Sequence, residues 1–429
     1  MTEPGLVRTS TIRWLRLIPI VFLMYTISFF DRVNIGLALP GMSKDLNLSP
    51  AQAGLAGGVF FWGYLITFLA TGWLAPRFGA RRVILAALLI WGGFAMATGF
   101  VHSFSELLLM RFLLGAAEGP VWTSTSLLLS QWFVAPERAR AFGLWNLCIP
   151  VGALLAGPVS GLILSYSDWH MMFVLEGLPA WVWAVVWWRG IPRSLDTAHW
   201  LAADERRDLS AALAAEQAEL GRHTRRKWRD MLREPNVWLL LGAFSLINMV
   251  SYGFSLWLPT ALKAASSLNI GSVGVISALP YLTAIFGLVA ITQSSDRRRE
   301  RRYHAGVPMI AIGVLLWVGA WFGDRSVVVQ MAAFTLMGFF LYMYLPLIFT
   351  LLTEILPQDM AIPAVAFVGG VGNLFGGFVG PTLVGWLKGV TGSFLLAFTL
   401  LAIFGIAGGV LVLAVRTGRS ALAPVATAT

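Results

Sequence analysis

Charge is what this 429-residue chain has least of. Asp, Glu, Lys and Arg make up 12% of it, about half the ~25% of soluble domains. That scarcity, with 57% hydrophobic residues and a mean hydropathy of +0.74, excludes an ordinary soluble domain and gives a polytopic membrane protein. Cysteine occurs once, as Cys148 in an apolar run; no disulfide within the chain can form, and its plain reading is small core filler. None of the histidines at 102, 170, 199, 223 and 304 falls in mid-span, so neither a histidine proton relay nor a zinc spacing is present. No metal-ligand cluster, nucleotide loop or Ser–His–Asp set on one face appears. The glycines of PRFGARR lie in a short loop without a Walker lysine pattern. A membrane enzyme therefore has little to work with, and no cofactor is expected. The polar linker is too short to hold a signalling domain, which weighs against a sensor or scaffold.

Basic residues are the exception, 31 against 21 acidic, for a net charge of +10. Their placement in short segments between apolar runs points to membrane orientation rather than to nucleic acid. The run RRRERR is read the same way. The first apolar run is too long and too charged for a cleaved signal peptide and is expected to remain as the first helix.

Apolar runs long enough for ~30 Å of hydrocarbon are read at 15–39, 52–75, 82–101, 104–130, 140–166, 171–190, 236–260, 271–292, 304–323, 326–352, 361–387 and 391–415. Helix is the expected form, because it satisfies its own backbone in lipid. The predicted fold class is an all-α polytopic membrane protein of 12 transmembrane helices in two six-helix pseudo-repeated bundles. With the N-terminus inside, 25 Lys and Arg fall in inner segments and 4 in outer loops, Arg32 and Arg111 completing the 31. This bias predicts that both termini are cytoplasmic. The domains are predicted as 1–190, an N-terminal six-helix bundle; 191–235, a cytoplasmic amphipathic linker; and 236–429, a C-terminal six-helix bundle. In the linker, AHWLAADERRDLSAALAAEQAEL has helical periodicity and i,i+4 charge pairs. RHTRRKWRD is expected at the anionic inner leaflet. Arg77 and Arg297 are 220 positions apart, and Gly157-Pro158 and Gly380-Pro381 are 223 apart. The matching offsets indicate an internal duplication, as in transporters that rock two bundles about a central site.

Against this apolar background stand Asp31 and Arg32, adjacent in the first run, and Arg111 and Glu118 in the fourth. A charge near the bilayer centre costs at least ~2.5–3.5 kcal/mol, so it marks a partner or a task. Arg111 and Glu118 are two helical turns apart and share a face, ~10 Å apart along the axis. Gly115 between them lets a neighbouring helix approach. Read structurally, these are static pairs that fix helices. Read functionally, two cations and two carboxylates handle an anion and a proton: arginine stays charged and presents a planar fork to a carboxylate. Glu176, about five residues into the sixth run, is read as structural or as part of an entrance. Trp122 and Trp145 are read as core or lipid-facing before cavity walls, and Asn34 either as a helix-to-helix hydrogen bond or as part of the site. GGVGNLFGGFVGP at 369–381 permits close packing and bending.

The chain resembles the major facilitator superfamily over nearly its whole length. Gly72, Arg77, Gly79, Arg81 and Arg82 match its inner-gate motif after helix 2, with Pro76 in place of the motif's Asp. After helix 8, Asp296 and Arg297 match but the glycines do not. GALLAGPVSG at 152–161 is similar to its helix 5 Gly-Pro motif. Within the superfamily the chain looks like the anion:cation symporter family, through FFDRVNIGLALP, RFLLGAAEGP, ERARAFGLWN, DTAHWLAADERRDL and GNLFGGFVGPTLVGWLKGVTGS. The DRVNIG form is most like permeases for tartrate, phthalate, hydroxyphenylacetate and related acids, with galactonate permease more distant.

The resemblance implies a proton-coupled symporter importing a small organic anion, a carboxylate, into a bacterium across its inner membrane as a monomer. An exchanger or exporter of the same fold is the alternative. By position, Asp31 and Glu118 are expected to couple protons. Arg32, Tyr64 and Asn373 are expected to bind substrate. Arg111 is expected to be a charge partner, and Arg77, Arg81, Asp296 and Arg297 to form the inner gate. Phe29 and Ile149 stand where relatives carry a tyrosine and a glutamine. Both changes remove hydrogen-bonding groups and favour a less polar or aromatic acid over a sugar acid.

Overall fold

The computed structural model describes residues 11–220, 228–323 and 325–416. Most of the basic run RHTRRKWRD lies outside them. Described regular structure is helical. We number the long helices α1 (Thr11–Asp45), α2 (Pro50–Phe78), α3 (Ala80–Thr98), α4 (Phe104–Trp132), α5 (Ala135–Tyr166) and α6 (Trp169–Gly190). They continue as α7 (Pro235–Ala265), α8 (Ile270–Arg298), α9 (Arg302–Phe322), α10 (Val327–Ile355), α11 (Met360–Thr391) and α12 (Leu395–Leu413). The linker carries a further helix, Ala203–Leu220.

Eleven of these are long and apolar enough to cross a membrane. The run predicted at 104–130 is present as α4, a 29-residue helix, but Glu106, Arg111, Glu118 and its Ser and Thr residues keep it out of the apolar class. The helix outside that class thus carries two of the buried charges, Arg111 and Glu118. Four helices are interrupted for a single residue, at Asn34, Val59, Leu147 and Ala278. Val59 and Ala278 are 219 positions apart, close to the offsets of the sequence motifs.

The packing repeats with the same period. In the first six helices α2 packs on α4, α3 on α4 and α6, and α1 on α5 and α6. In the last six, α8 packs on α10, α9 on α10 and α12, and α7 on α11 and α12. Close approach explains the α2–α4 and α8–α10 pairs: a methyl group at Gly115 would overlap the Phe60 carbonyl oxygen, and one at Gly287 would overlap that of Phe339. Without a hydrophobic drive between helices in lipid, such backbone contact supplies the packing energy. The two sets of six meet mainly through α2–α11, α5–α8 and α1–α7. These contacts use the later parts of α1, α5, α7 and α11 and the starts of α2 and α8. They gather at one end, opposite the turns that carry Arg77, Arg81 and Arg297.

Candidate functional site

α1 is helical to Val33, turns at Asn34 and resumes at Ile35. Ser28, Asp31, Arg32 and Asn34 around this break are all buried. Ser28 and Arg32, one turn apart, converge on the same oxygen of α4. The Ser28 hydroxyl and the Arg32 Nη2 each donate to Glu118 Oε2 at 2.9 Å. The Arg32 guanidinium lies 5.5, 5.2 and 5.1 Å from the ring centroids of Phe29, Phe60 and Tyr64. Cation–π contact partly replaces the water that burial removes.

Asp31 turns elsewhere. Its Oδ2 accepts from Trp91 Nε1 of α3 at 3.1 Å, while its Oδ1 has no partner. Arg111 forms no ion pair among the described residues; its Nε and Nη1 are unbonded, and its guanidinium lies 5.3 Å from the same Phe60 ring that Arg32 faces. Glu118 Oε1 and Arg32 Nε are also without partners. Buried polar atoms are nearly always bonded, so a cluster with both donors and acceptors unused calls for an explanation. A cavity of about 20 Å³ adjoins the two arginines, Arg32 and Arg111, and is lined also by Phe61 of α2, by Tyr252 and Ser255 of α7 and by Pro381 of α11. That is room for one water, where the two sets of six helices meet.

The structure thus brings Asp31, Arg32, Tyr64, Arg111 and Glu118 together. The Tyr64 ring stacks between Phe60 and Phe68 at 6.1 and 5.8 Å. Asn373 stands one residue back: its Oδ1 accepts from the Tyr252 hydroxyl at 3.1 Å, and Tyr252 reaches the cavity. Trp122 and Trp145 lie 4.2 Å apart, with Tyr25 edge-on to both. Phe29 and Ile149 are buried.

Sequence reasoning missed Ser28, Trp91 and Tyr252, and gave Glu176 a marginal place. Of these only Tyr252 carried a signal, as a tyrosine inside an apolar run. The last six helices answer the charges with neutral groups. The Tyr344 hydroxyl donates to Asn248 Oδ1 at 2.8 Å, and that of Tyr281 donates to Ser255 at 2.9 Å. Among the described residues, every buried Asp, Glu or Arg lies in the first six. None of their His, Cys, Asp and Glu residues groups in threes to hold a metal ion.

The expected gate residues fall into two separate arrangements. Arg81, lacking an Asp at position 76, donates its Nε to the Ile191 carbonyl at 2.6 Å and its Nη2 to that of Trp188, at the end of α6. Arg77 is exposed and lies over Trp73 and Phe78. Asp296 is bonded by Arg301 at 2.6 Å, not by Arg297, which is exposed. Arg301 also reaches Glu354 of α10 at 3.2 Å. Arg13, wholly buried, pairs with Glu137 at 2.6 Å and donates to the Trp132 carbonyl at 2.9 Å, tying the start of α1 to the α4–α5 turn.

Residues 21–369 match the family model described as Major Facilitator Superfamily. The chain is 32% identical to the NicT protein of Pseudomonas putida, over 90% of this chain and 89% of that one. It is 31% identical to a quinolone resistance transporter of Acinetobacter baumannii, over 91% and 90%, and 27% identical to a hexuronate transporter of Bacillus subtilis, over 90% and 91%. Among solved structures it is similar to a D-xylose-proton symporter, with a TM-score of 0.72 and 15% identity, covering 93% of this chain and 97% of that one.

Proposed function

We propose that this chain, which belongs to the Major Facilitator Superfamily and is a multi-pass protein of a bacterial inner membrane, is a proton-coupled symporter that imports a small organic anion by alternating access. The observation that carries the reading is the buried Arg32–Glu118 pair beside an unpaired Arg111, at a cavity between the two sets of six helices. A saturated structural cluster would leave no donors or acceptors unused. A carrier needs such reserve, because its pairs must break and re-form.

In the cycle we infer, Glu118 and Asp31 take protons from the arginine-poor side, which we assign to the periplasm. Loss of the Glu118 charge frees Arg32 to bind the substrate carboxylate through its planar fork. Arg111 balances charge beside it, Tyr64 supplies a wall, and Asn373 acts with Tyr252. The two bundles, 1–190 and 236–429, joined by the linker 191–235, rock about this site. Arg77 and Arg81 in one bundle, and Asp296 and Arg297 in the other, belong to the cytoplasmic gate. Twelve spans, cytoplasmic termini and a monomer complete the proposal. Phe29, Phe60, Phe61 and Tyr64 around the arginines favour an acid with a ring or a short chain. A relative named as a hexuronate transporter supports the organic-acid class.

The test is reconstitution with a pH dye inside the vesicles and addition of aromatic acids, hydroxydicarboxylates and sugar acids one by one. Lumen acidification that depends on one acid, and is lost in Glu118→Gln and Arg32→Ala, is expected. Robust counterflow without acidification would replace symport with exchange. A relative named as a quinolone resistance transporter favours a second reading, export. Accumulation in everted vesicles rather than right-side-out ones would decide for it.

A further inference from the structure

Glu176 is a third carboxylate buried among the spans, 4% exposed, and the cycle above gives it no part. It stands about two turns into α6. Ser160 Oγ of α5 donates to its Oε1 at 2.6 Å, and Asn34 Nδ2 of α1 donates to its Oε2 at 2.8 Å. Among the described residues no cation lies within ion-pair distance of it.

Asn34 is the residue at which α1 breaks. One turn before it stand Asp31 and Arg32. Two residues after it, Gly36 packs on α7 so closely that a Cβ there would come 2.7 Å from the Leu256 carbonyl oxygen. The Leu256 side chain packs in turn on Gly57 of α2. At the far end of the same segment, Trp169 Nε1 donates to Asp45 Oδ2 at 2.8 Å. Helix α6 therefore holds Ile35–Asp45 at both ends, and the holding group nearest the buried charges is Glu176.

We propose that Glu176 is a positioning residue that, by holding Asn34 at the break, keeps Ile35–Asp45 seated on α7 and links the charge site to closure of the arginine-poor end. The proposal rests on the alternating-access reading above. The chemistry required is acceptance of the Asn34 N–H, not a negative charge. A glutamine keeps that bond through Oε1 and can donate from Nε2 to the Ser160 hydroxyl oxygen; an alanine keeps neither bond and leaves a buried donor unpaired.

The experiment reads closure without any organic acid. Leu256→Cys in a Cys148→Ser background places one thiol between α7, α1 and α2, and its rate of reaction with a maleimide reports how often the end opens. Glu176→Ala and Asn34→Ala are each expected to raise that rate about fivefold or more, the worth of one buried hydrogen bond. Glu176→Gln is expected to stay within about twofold. An unchanged rate in Glu176→Ala would overturn the proposal, and so would Glu176→Gln reacting as fast as the alanine variant, since charge would then be what matters. If Glu176→Ala does not elute as a folded species, Asn34→Ala decides the same point from the other side of the bond. Expected labelling with no acid ever transported would leave the positioning role standing and remove the symport reading. Established transport with unchanged labelling would do the reverse.

Discussion

Arg32 and Glu118 form a 2.9 Å ion pair between α1 and α4 with side chains 6% and 0% exposed. Both desolvation costs are therefore fully incurred, and attraction plus the Ser28 hydrogen bond must offset them. Removing one partner strands the other. Arg32→Met alone or Glu118→Leu alone is expected to destabilise the protein by about 3–5 kcal/mol, while the double substitution melts above either single variant. Thermal midpoints of the four proteins in detergent check this. Single variants that melt like the parent would mean that the pair carries no such cost.

Transport and stability separate at the same carboxylate. Glu118→Gln keeps an oxygen for Arg32 and Ser28 but cannot take up and give back a proton. It is expected to lose accumulation driven by a pH gradient and to keep substrate exchange in counterflow. Proton-driven accumulation at the parent level in this variant would remove Glu118 from the coupling role.

Much of this was legible in the sequence, and the limits have physical causes. Runs of apolar residues and clustered arginines marked the helices, because lipid admits few alternatives. The i,i+7 spacing of Arg111 and Glu118 placed them on one face. It could not show that Glu118 turns to Arg32 on another helix, since tertiary packing decides that pairing. Glu176 read as an acid near a helix end because nothing local reveals that α1 breaks at Asn34 and brings it a donor. The match of Asp296-Arg297 drew attention to Arg297, whereas the bond is made by Arg301, beyond the helix end.

That last arrangement gives a comparison between two arginines four positions apart. Arg301 bonds Ser295 and Asp296 and reaches Glu354 on α10, while Arg297 is exposed. The two carboxylates that pair with Arg301 are 62% and 51% exposed, so the ion pairs lost in Arg301→Ala are expected to change stability by less than about 1 kcal/mol. Its effect should lie in uptake rate, which falls well below that of Arg297→Ala in parallel assays. Equal rates for the two variants would place the gate elsewhere.

Glu300, between α8 and α9, provides a pH dependence outside the spans. Its slight burial pushes the carboxyl up, but the His304 ring and the amides of Tyr303 and His304 outweigh this and hold it below the usual range. A carboxylate lowered on folding stabilises above its ordinary value of about 4.3 and loses that contribution as pH falls through the folded value. The parent should therefore melt above Glu300→Gln at neutral pH, and the margin should narrow as pH falls below about 4.3. A margin that does not narrow on acidification below the carboxylate range would show that the carboxylate charge is not its source.

Gly115 separates Arg111 from Glu118 by one turn on each side and is the point at which α4 touches the α2 backbone. A methyl group there would overlap the Phe60 carbonyl oxygen, which belongs to a helix backbone and cannot step aside as a flexible side chain could. Gly115→Ala therefore has to push α2 away from α4, at a cost of about 1–3 kcal/mol for overpacking. The displacement also moves the Phe60 ring, which lies 5.2 and 5.3 Å from the two guanidiniums. Loss of transport should thus exceed what the stability change alone predicts. Gly93→Ala, on α3 where an added methyl meets only the Trp181 ring at 3.9 Å, serves as the control. A thermal midpoint and uptake rate in Gly115→Ala equal to those of Gly93→Ala would show that α2 and α4 have slack at their crossing and that the arginines do not depend on it.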